Sequence, residues 1–321
     1  MAIYDVFNGD ADGICALHQL RLAHQVESTL ITGIKRDISL LAQVNASAGD
    51  EITVLDIALS KNRDALLIQL ARGAKVRYFD HHMPGEIPDH PNLNAIIDTS
   101  PNVCTSLLVN RELKGQYLIW AVVAAFGDNL HESAFQASEP LQLSTSQLDA
   151  LRQLGECLNY NAYGESIQDL YFHPADLYQI LHRHADPFSF IHDEPAYKTL
   201  HNGYAEDMAL ANKIQPEITS ASGAIYLLPD ASWSRRVSGV FGNFLATASP
   251  LKAHAVLTKL SGGGFLVSVR APLATKSGAD ELCSQFATGG GRKGAAGINH
   301  LPEHQLAHFA DLFNTTFSYK A

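Results

Sequence analysis

The sequence predicts an α/β protein in three parts. These are a parallel-sheet N-terminal domain over residues 1–190, a helical connector over 191–217 and a smaller mixed α/β domain over 218–321. Three observations carry that reading. Apolar runs of strand length alternate with helix-period segments through the first part, the pattern of right-handed βαβ units. Residues 145–215 lose the strand signal and read as helical. From Ile218 onward, strand and turn residues return.

The elements follow in order. Ile3-Tyr4-Asp5-Val6-Phe7 is the first strand, after which Ile14, Leu17 and Leu20 recur at helical spacing. Residues 28–34 and 51–55 read as two further strands, and 62–72 as a helix closing near Gly73. Residues 74–79 form the next strand, 94–97 a short one, and 103–113 a helix after Pro101. Residues 117–126 are apolar almost throughout and read as a buried helix that delivers Asp128. Helices are expected at 149–158, at 174–184 and from about 195 to 213, with breaks at Asp186-Pro187 and Glu194-Pro195. His182, His184, His192 and His201 match no compact ligand spacing and are read as solvated. Residues 223–228 read as a strand, 234–247 as a helix and 254–260 as a strand. Gly262-Gly263-Gly264 then makes a hairpin turn into a return strand over 265–270.

Composition excludes several classes. At 321 residues, 46% hydrophobic and 17% charged, the chain is that of a globular protein with room for two cores. It has no run of membrane-spanning length and no basic, apolar leader, so no membrane contact is expected. Cys15, Cys104, Cys157 and Cys283 are far apart, which suggests reduced thiols and a cytoplasmic location. A net charge of −10 argues against a protein that coats long nucleic acid. A small anionic substrate fits better, met by Arg235, Arg236, Arg270, Arg292 and Lys293.

Three strands end in groups that bind metals. The first runs into Asp10 and Asp12, the third into Asp56, and the fourth into Asp80-His81-His82. A lone Asp in such a place is usually a cap or turn former. The coincidence of three points to one ligand cluster at the carboxyl edge of a parallel sheet. Crowded carboxylates repel one another unless cations neutralise them. Oxygen ligands with imidazole suit Mn²⁺ or Mg²⁺, with Fe²⁺, Co²⁺ and Zn²⁺ also compatible.

The order of these groups resembles a family. Asn8-Gly9-Asp10-Ala11-Asp12-Gly13, Asp56, Asp80-His81-His82 and Gly127-Asp128-Asn129 are similar to the four N-terminal motifs of the DHH phosphoesterases. The stretch 289–297, Gly-Gly-Gly-Arg-Lys-Gly-Ala-Ala-Gly, resembles the glycine-rich signature of the domain that usually follows. The resemblance covers nearly the whole chain. It implies a phosphodiesterase or phosphatase with two divalent ions, Mn²⁺ the expected one, working in a cleft between domains. On that pattern Asp56 bridges the ions, Asn8 and Asp10 serve one, and Asp12, His81 and Asp128 serve the other. Asp80 orients an imidazole, and His82 faces the substrate as a phosphate binder or proton donor. Asn8 departs from the pattern, since many members carry His or Asp there, and an amide is a weaker ligand. Arg270, Gly289, Gly290, Gly291, Arg292 and Lys293 are expected to contact substrate, the glycines as an anion-binding loop. Many relatives have His in place of Arg292.

Three functions remain open at this point. The first is hydrolysis of very short oligonucleotides or signalling dinucleotides, linear or cyclic. The second is a phosphatase of nucleoside 3′,5′-bisphosphate, polyphosphate or pyrophosphate. The third is a nucleotide-sensing module without turnover, which Asn8 alone favours. Oligomeric state is open, a homodimer included.

Overall fold

The computed structural model describes residues 1–318. It divides into two compact units, Met1–Asn202 and Gly203–Ala321.

The first unit is built on five parallel strands, β1 Ile3–Phe7, β2 Thr29–Ile31, β3 Glu51–Leu55, β4 Lys75–Asp80 and β5 Leu93–Ile97, in the order β2-β1-β3-β4-β5. Its helices are α1 Ala11–Ala23, α2 Leu59–Ala71, α3 Thr105–Glu112, α4 Leu118–Gly127, α5 His131–Ser138, α6 Thr145–Asn161, α7 Pro174–Leu181 and α8 Pro187–Asp193, and α9 Pro195–Ala211 runs across the division. Strand alternation explains why both faces are covered. Phe7, Leu55 and Phe79 enter one core with Leu17, Trp120, Phe126 and Leu154. Their neighbours Val6, Val54 and Tyr78 enter the other with Leu66 and Leu70 of α2. A parallel sheet buried on both faces needs apolar residues at successive positions, which is what these strands carry.

Three helices of the first unit meet closely. A Cβ on Gly127 would lie 2.4 Å from the Ala11 Cβ and 2.8 Å from the Gly155 carbonyl. A Cβ on Gly155 would lie 2.2 Å from the Val123 carbonyl. Glycine at both places brings α4 against α6 and α1, and so fixes where Asp128 emerges.

Several expectations need correction. The second strand spans three residues rather than seven, because the chain leaves the sheet edge after Ile31. The Asp37 carboxylate accepts the Ile34 N–H at 3.0 Å, and the Lys35 N–H donates to the Ala162 carbonyl at 2.9 Å. Helix α5 was not expected. His182 and His184 are not solvated: His18 Nδ1 lies 3.0 Å from His182 Nδ1, and His184 Nε2 lies 2.9 Å from Glu194 Oε1. His192 is exposed, as expected.

The second unit has a six-stranded mixed sheet. Its elements are β6 Ile218–Thr219, β7 Gly223–Leu228, α10 Ser232–Ala248, β8 Ala253–Lys259, β9 Phe265–Arg270, α11 Ala279–Cys283, β10 Gly289–Arg292, β11 Ala295–Leu301 and α12 Leu306–Phe317. The strand order is β10-β11-β9-β8-β7-β6, with β7 and β8 parallel across the α10 crossover and the other pairs antiparallel. The expected hairpin after β8 is present, closed by Leu260 N–H to Gly264 O at 3.1 Å. Gly263 (φ +88°) and Gly264 (φ +78°) supply its left-handed positions.

The glycine-rich segment is a strand rather than a loop. Gly289 pairs with Ile298 and Gly291 with Ala296 in an antiparallel hairpin. A Cβ on Gly289 would lie 1.8 Å from the Cys283 carbonyl, so close packing on α11 accounts for that glycine. All four cysteines are buried free thiols. No helix among the described residues is long and apolar enough to cross a membrane.

Candidate metal centre

β1, β3 and β4 run parallel and in register, so the residues that follow them leave the sheet at one edge. That edge gathers Asp10, Asp56, Asp80, His81 and His82. α1 begins there, capped by Asp10, whose Oδ1 accepts the Asp12 and Gly13 N–H groups at 3.0 and 3.1 Å. Asp12, in the first turn of α1, is turned to the start of α3. Its two oxygens accept the Thr105 and Ser106 N–H groups, each at 2.7 Å. A carboxylate at a helix N-terminus is stabilised by those free amides and by the helix dipole.

Asp56 sits at the end of β3 with φ +58°, a left-handed conformation that directs its carboxylate across the edge. Its Oδ1 accepts the Thr105 hydroxyl at 3.2 Å. The His81 ring donates Nδ1–H to the Val103 carbonyl at 2.9 Å. That turns Nε2 toward the carboxylates, 3.4 Å from Asp56 Oδ1 and 3.9 Å from Asp128 Oδ2, where it can serve as a ligand once it gives up its proton. Asp128 Oδ2 is buried and accepts no hydrogen bond, and the same holds for Asp80 Oδ2. The other Asp80 oxygen, Oδ1, accepts His82 Nδ1 at 2.7 Å.

These donors suit a divalent cation. Asp56, His81 and His82 bring one donor atom each within 4.8 Å of one another. His82 Nδ1 is already committed to Asp80, so Asp56, His81 and the unpartnered Asp128 oxygen are the better-placed set. The ion would also meet a buried acceptor that nothing else satisfies, which is where a cation is most stabilising.

As a sequence, the chain matches no family model and no curated protein. Its fold does have solved counterparts. It is similar to the exonuclease RecJ bound to manganese, with a TM-score of 0.62 and 16% identity, over 100% of this chain and 91% of that one. RecJ in complex with Mn²⁺ from Thermus thermophilus gives 0.60 and 16%, over 100% of this chain and 52% of that longer one. The pGpG-specific phosphodiesterase PggH from Vibrio cholerae gives 0.53 and 13%, over 98% of each. The chain has the DHH-family fold.

Within that DHH fold, charge is unevenly balanced. Burial, with Asp12 and Asp10 alongside, raises the Asp56 carboxyl well above the usual carboxylate range. Burial raises Asp12 too, against the pull of His81. Burial also acts on Asp10, but there the Lys35 ammonium outweighs it and the carboxyl is lowered. At His81 burial favours the neutral ring, yet Asp56 overrides it and pushes the imidazole up to about 10. The raised Asp12, Asp56 and His81 reflect carboxylates crowded at one edge, and a divalent cation there would replace the protons that balance them.

The candidate site also contains residues that the sequence did not point to. Lys35 Nζ is paired with Asp10 Oδ2 and donates to Asn159 Oδ1 at 3.1 Å. Asn8 does not present a free amide. Its Oδ1 accepts the Asp10 N–H at 3.2 Å and its Nδ2 donates to the Lys35 carbonyl at 3.2 Å. Thr105 and the Val103 carbonyl complete the surroundings of Asp56 and His81. No motif signals Lys35, since it follows an edge strand and is placed by the diverted backbone.

The expected substrate contacts lie in the second unit. Arg270 is held by its own domain, with Nε on Asn243 Oδ1 at 2.6 Å and Nη2 on the Gly239 carbonyl at 3.2 Å. Arg235 and Arg236 are ion-paired with Asp230 and Asp207, so the expectation that they supply spare positive charge is corrected. Arg292 and Lys293 are exposed at the tip of the β10–β11 hairpin.

Proposed function

We propose that this chain is a divalent-metal-dependent phosphodiesterase acting on very short oligonucleotides or dinucleotides. The observation that carries the reading is the convergence of Asp56, His81 and Asp128 beside the Asp80–His82 pair. Asp56, His81 and Asp128 would hold the ion; the mixed oxygen and imidazole set accommodates Mn²⁺, the ion that the family resemblance implies. When bound, a divalent ion supplies charge stabilisation for a phosphoryl oxygen and lowers the pKa of water. The two ions that the family resemblance implies would require Asp10 to leave Lys35.

The protein groups have separable tasks. Asp80 holds the His82 ring through Nδ1, which leaves Nε2 of this half-exposed side chain to exchange a proton with the leaving oxygen. The Asp12 contacts with α3 hold Thr105 against Asp56, so the carboxylate keeps one orientation. Arg292 and Lys293 would bind phosphate, Arg292 through a planar fork. The net charge of −10 disfavours a long polymer and leaves a small anion as substrate.

The test is Mn²⁺-dependent turnover of a panel resolved by chromatography, with Asp56→Ala as control. Linear and cyclic dinucleotides, a nucleoside 3′,5′-bisphosphate, polyphosphate and a long single strand make up the panel. Selective cleavage of dinucleotides is expected. Release of phosphate from the bisphosphate alone would instead identify a monoesterase, and binding without turnover would identify a sensor.

A further inference from the structure

We propose that the Lys35 ammonium takes the place of one of the two cations in this site, which then holds a single divalent ion. The inference rests on the metal-dependent reading above and concerns the composition of that same site.

Asn8 and Asp10, which would hold a second ion together with the bridging Asp56, are both already engaged. Asp10 Oδ1 accepts two backbone N–H groups at the start of α1, and Oδ2 is paired with Lys35. The Asn8 amide closes the loop from both ends, onto the Asp10 N–H and the Lys35 carbonyl. Asn159 Oδ1, in the last turn of α6, accepts the ammonium at 3.1 Å. The Tyr163 ring lies 5.6 Å from Nζ, within cation–π range.

The placement is built rather than incidental. The Lys35 side chain is only 27% exposed. Its own N–H is fixed to the Ala162 carbonyl just beyond α6, where the helix dipole also favours a cation. Asn8 and Lys35 therefore explain one another. A ligand stronger than an amide, carboxylate or imidazole, is favoured at position 8 where a divalent ion must be held, whereas a neutral amide suffices beside an ammonium that Asp10 already balances. A fixed ammonium can neutralise a phosphoryl oxygen, but it cannot acidify water, so that task falls to the single ion.

The experiment is a Mn²⁺ titration of the full chain by calorimetry, read together with electron paramagnetic resonance. At saturation one ion per chain is expected, with the hyperfine pattern of an isolated Mn²⁺. Asp10→Asn, which keeps the helix cap, is expected to retain that ion and its signal. Lys35→Ala frees the Asp10 carboxylate, and its stoichiometry is expected to rise to two. An exchange-coupled pair in the unaltered chain overturns the inference, as does loss of the ion in Asp10→Asn or a single ion in Lys35→Ala. A chain that binds no divalent ion at all would instead remove the metal-dependent reading. If Lys35→Ala does not fold, the unaltered chain and Asp10→Asn still decide the question.

Discussion

His82 donates Nδ1–H to Asp80 Oδ1 at 2.7 Å, while the other Asp80 oxygen is buried with no hydrogen bond. The pair fixes the tautomer of a ring whose side chain is 46% exposed, so its free nitrogen can meet a substrate. His82→Ala is expected to lower kcat by about 10²–10⁴-fold, the range for a lost general acid. KM should change little, and single-turnover kinetics would separate the two. Asp80→Asn should reduce kcat by less, because the ring remains but loses its fixed tautomer. An unaltered kcat in His82→Ala would remove that residue from proton transfer.

Asp56 combines two costs, a left-handed backbone and a buried carboxylate held above its usual range by burial and by Asp12 and Asp10. Asn tolerates that conformation and carries no charge. Asp56→Asn is therefore expected to raise the melting temperature of the metal-free protein by about 2–4 °C, the shift that ~1 kcal/mol produces at this size. It should also abolish the stabilisation that Mn²⁺ gives. Calorimetry with and without Mn²⁺ checks both, and a lower melting temperature without metal would contradict the assignment.

His18 predicts a pH dependence away from the site. Its Nε2–H donates to the His184 carbonyl at 3.0 Å, so Nδ1 must accept from His182. Burial, with His182 beside it, lowers the His18 pKa from 6.5 to about 3. The folded state therefore binds fewer protons than the unfolded chain between those values. The His18 contribution to stability is whole above pH 6.5 and is lost as pH falls toward 3. Denaturant titrations of the unaltered chain and His18→Gln should show a shallower fall in the variant over that window. Parallel curves would argue against a neutral His18.

The contact of α4 with α6 and α1 has no room to spare. Gly127→Ala places a methyl 2.4 Å from the Ala11 Cβ and 2.8 Å from a backbone carbonyl. A loss of about 1–3 kcal/mol is expected, the usual cost of overpacking. Because Asp128 follows directly, affinity for Mn²⁺ should fall as well, and a joint measurement of urea midpoint and metal Kd tests the link.

Arg292 is exposed at a hairpin tip, whereas Arg270 is bonded to Asn243 and Gly239. Arg292→Ala should raise KM and leave the melting temperature unchanged. Arg270→Ala should lower the melting temperature, since it strips hydrogen bonds from α10. Equal thermal effects in the two variants would show that this division is wrong.

Much of this protein was determined by its sequence alone. The parallel sheet was legible because Val6-Phe7, Val54-Leu55 and Tyr78-Phe79 must fill two cores at once, which needs consecutive apolar residues. Asp10, Asp56, Asp80 and His81 were legible because they follow such strands, and parallel strands in register bring their ends to one edge. What only the tertiary structure decided depends on where the backbone goes after it leaves the sheet. Residues 289–292 read as an anion-binding loop, yet they lie in a strand because Gly289 packs against the Cys283 carbonyl. Lys35 carries no motif, and its place beside Asp10 comes from an edge strand that stops at Ile31 and a hydrogen bond to Ala162. A periodic pattern records which face a residue occupies. It does not record which distant carbonyl will capture a loop, and that capture set the charge balance of the site.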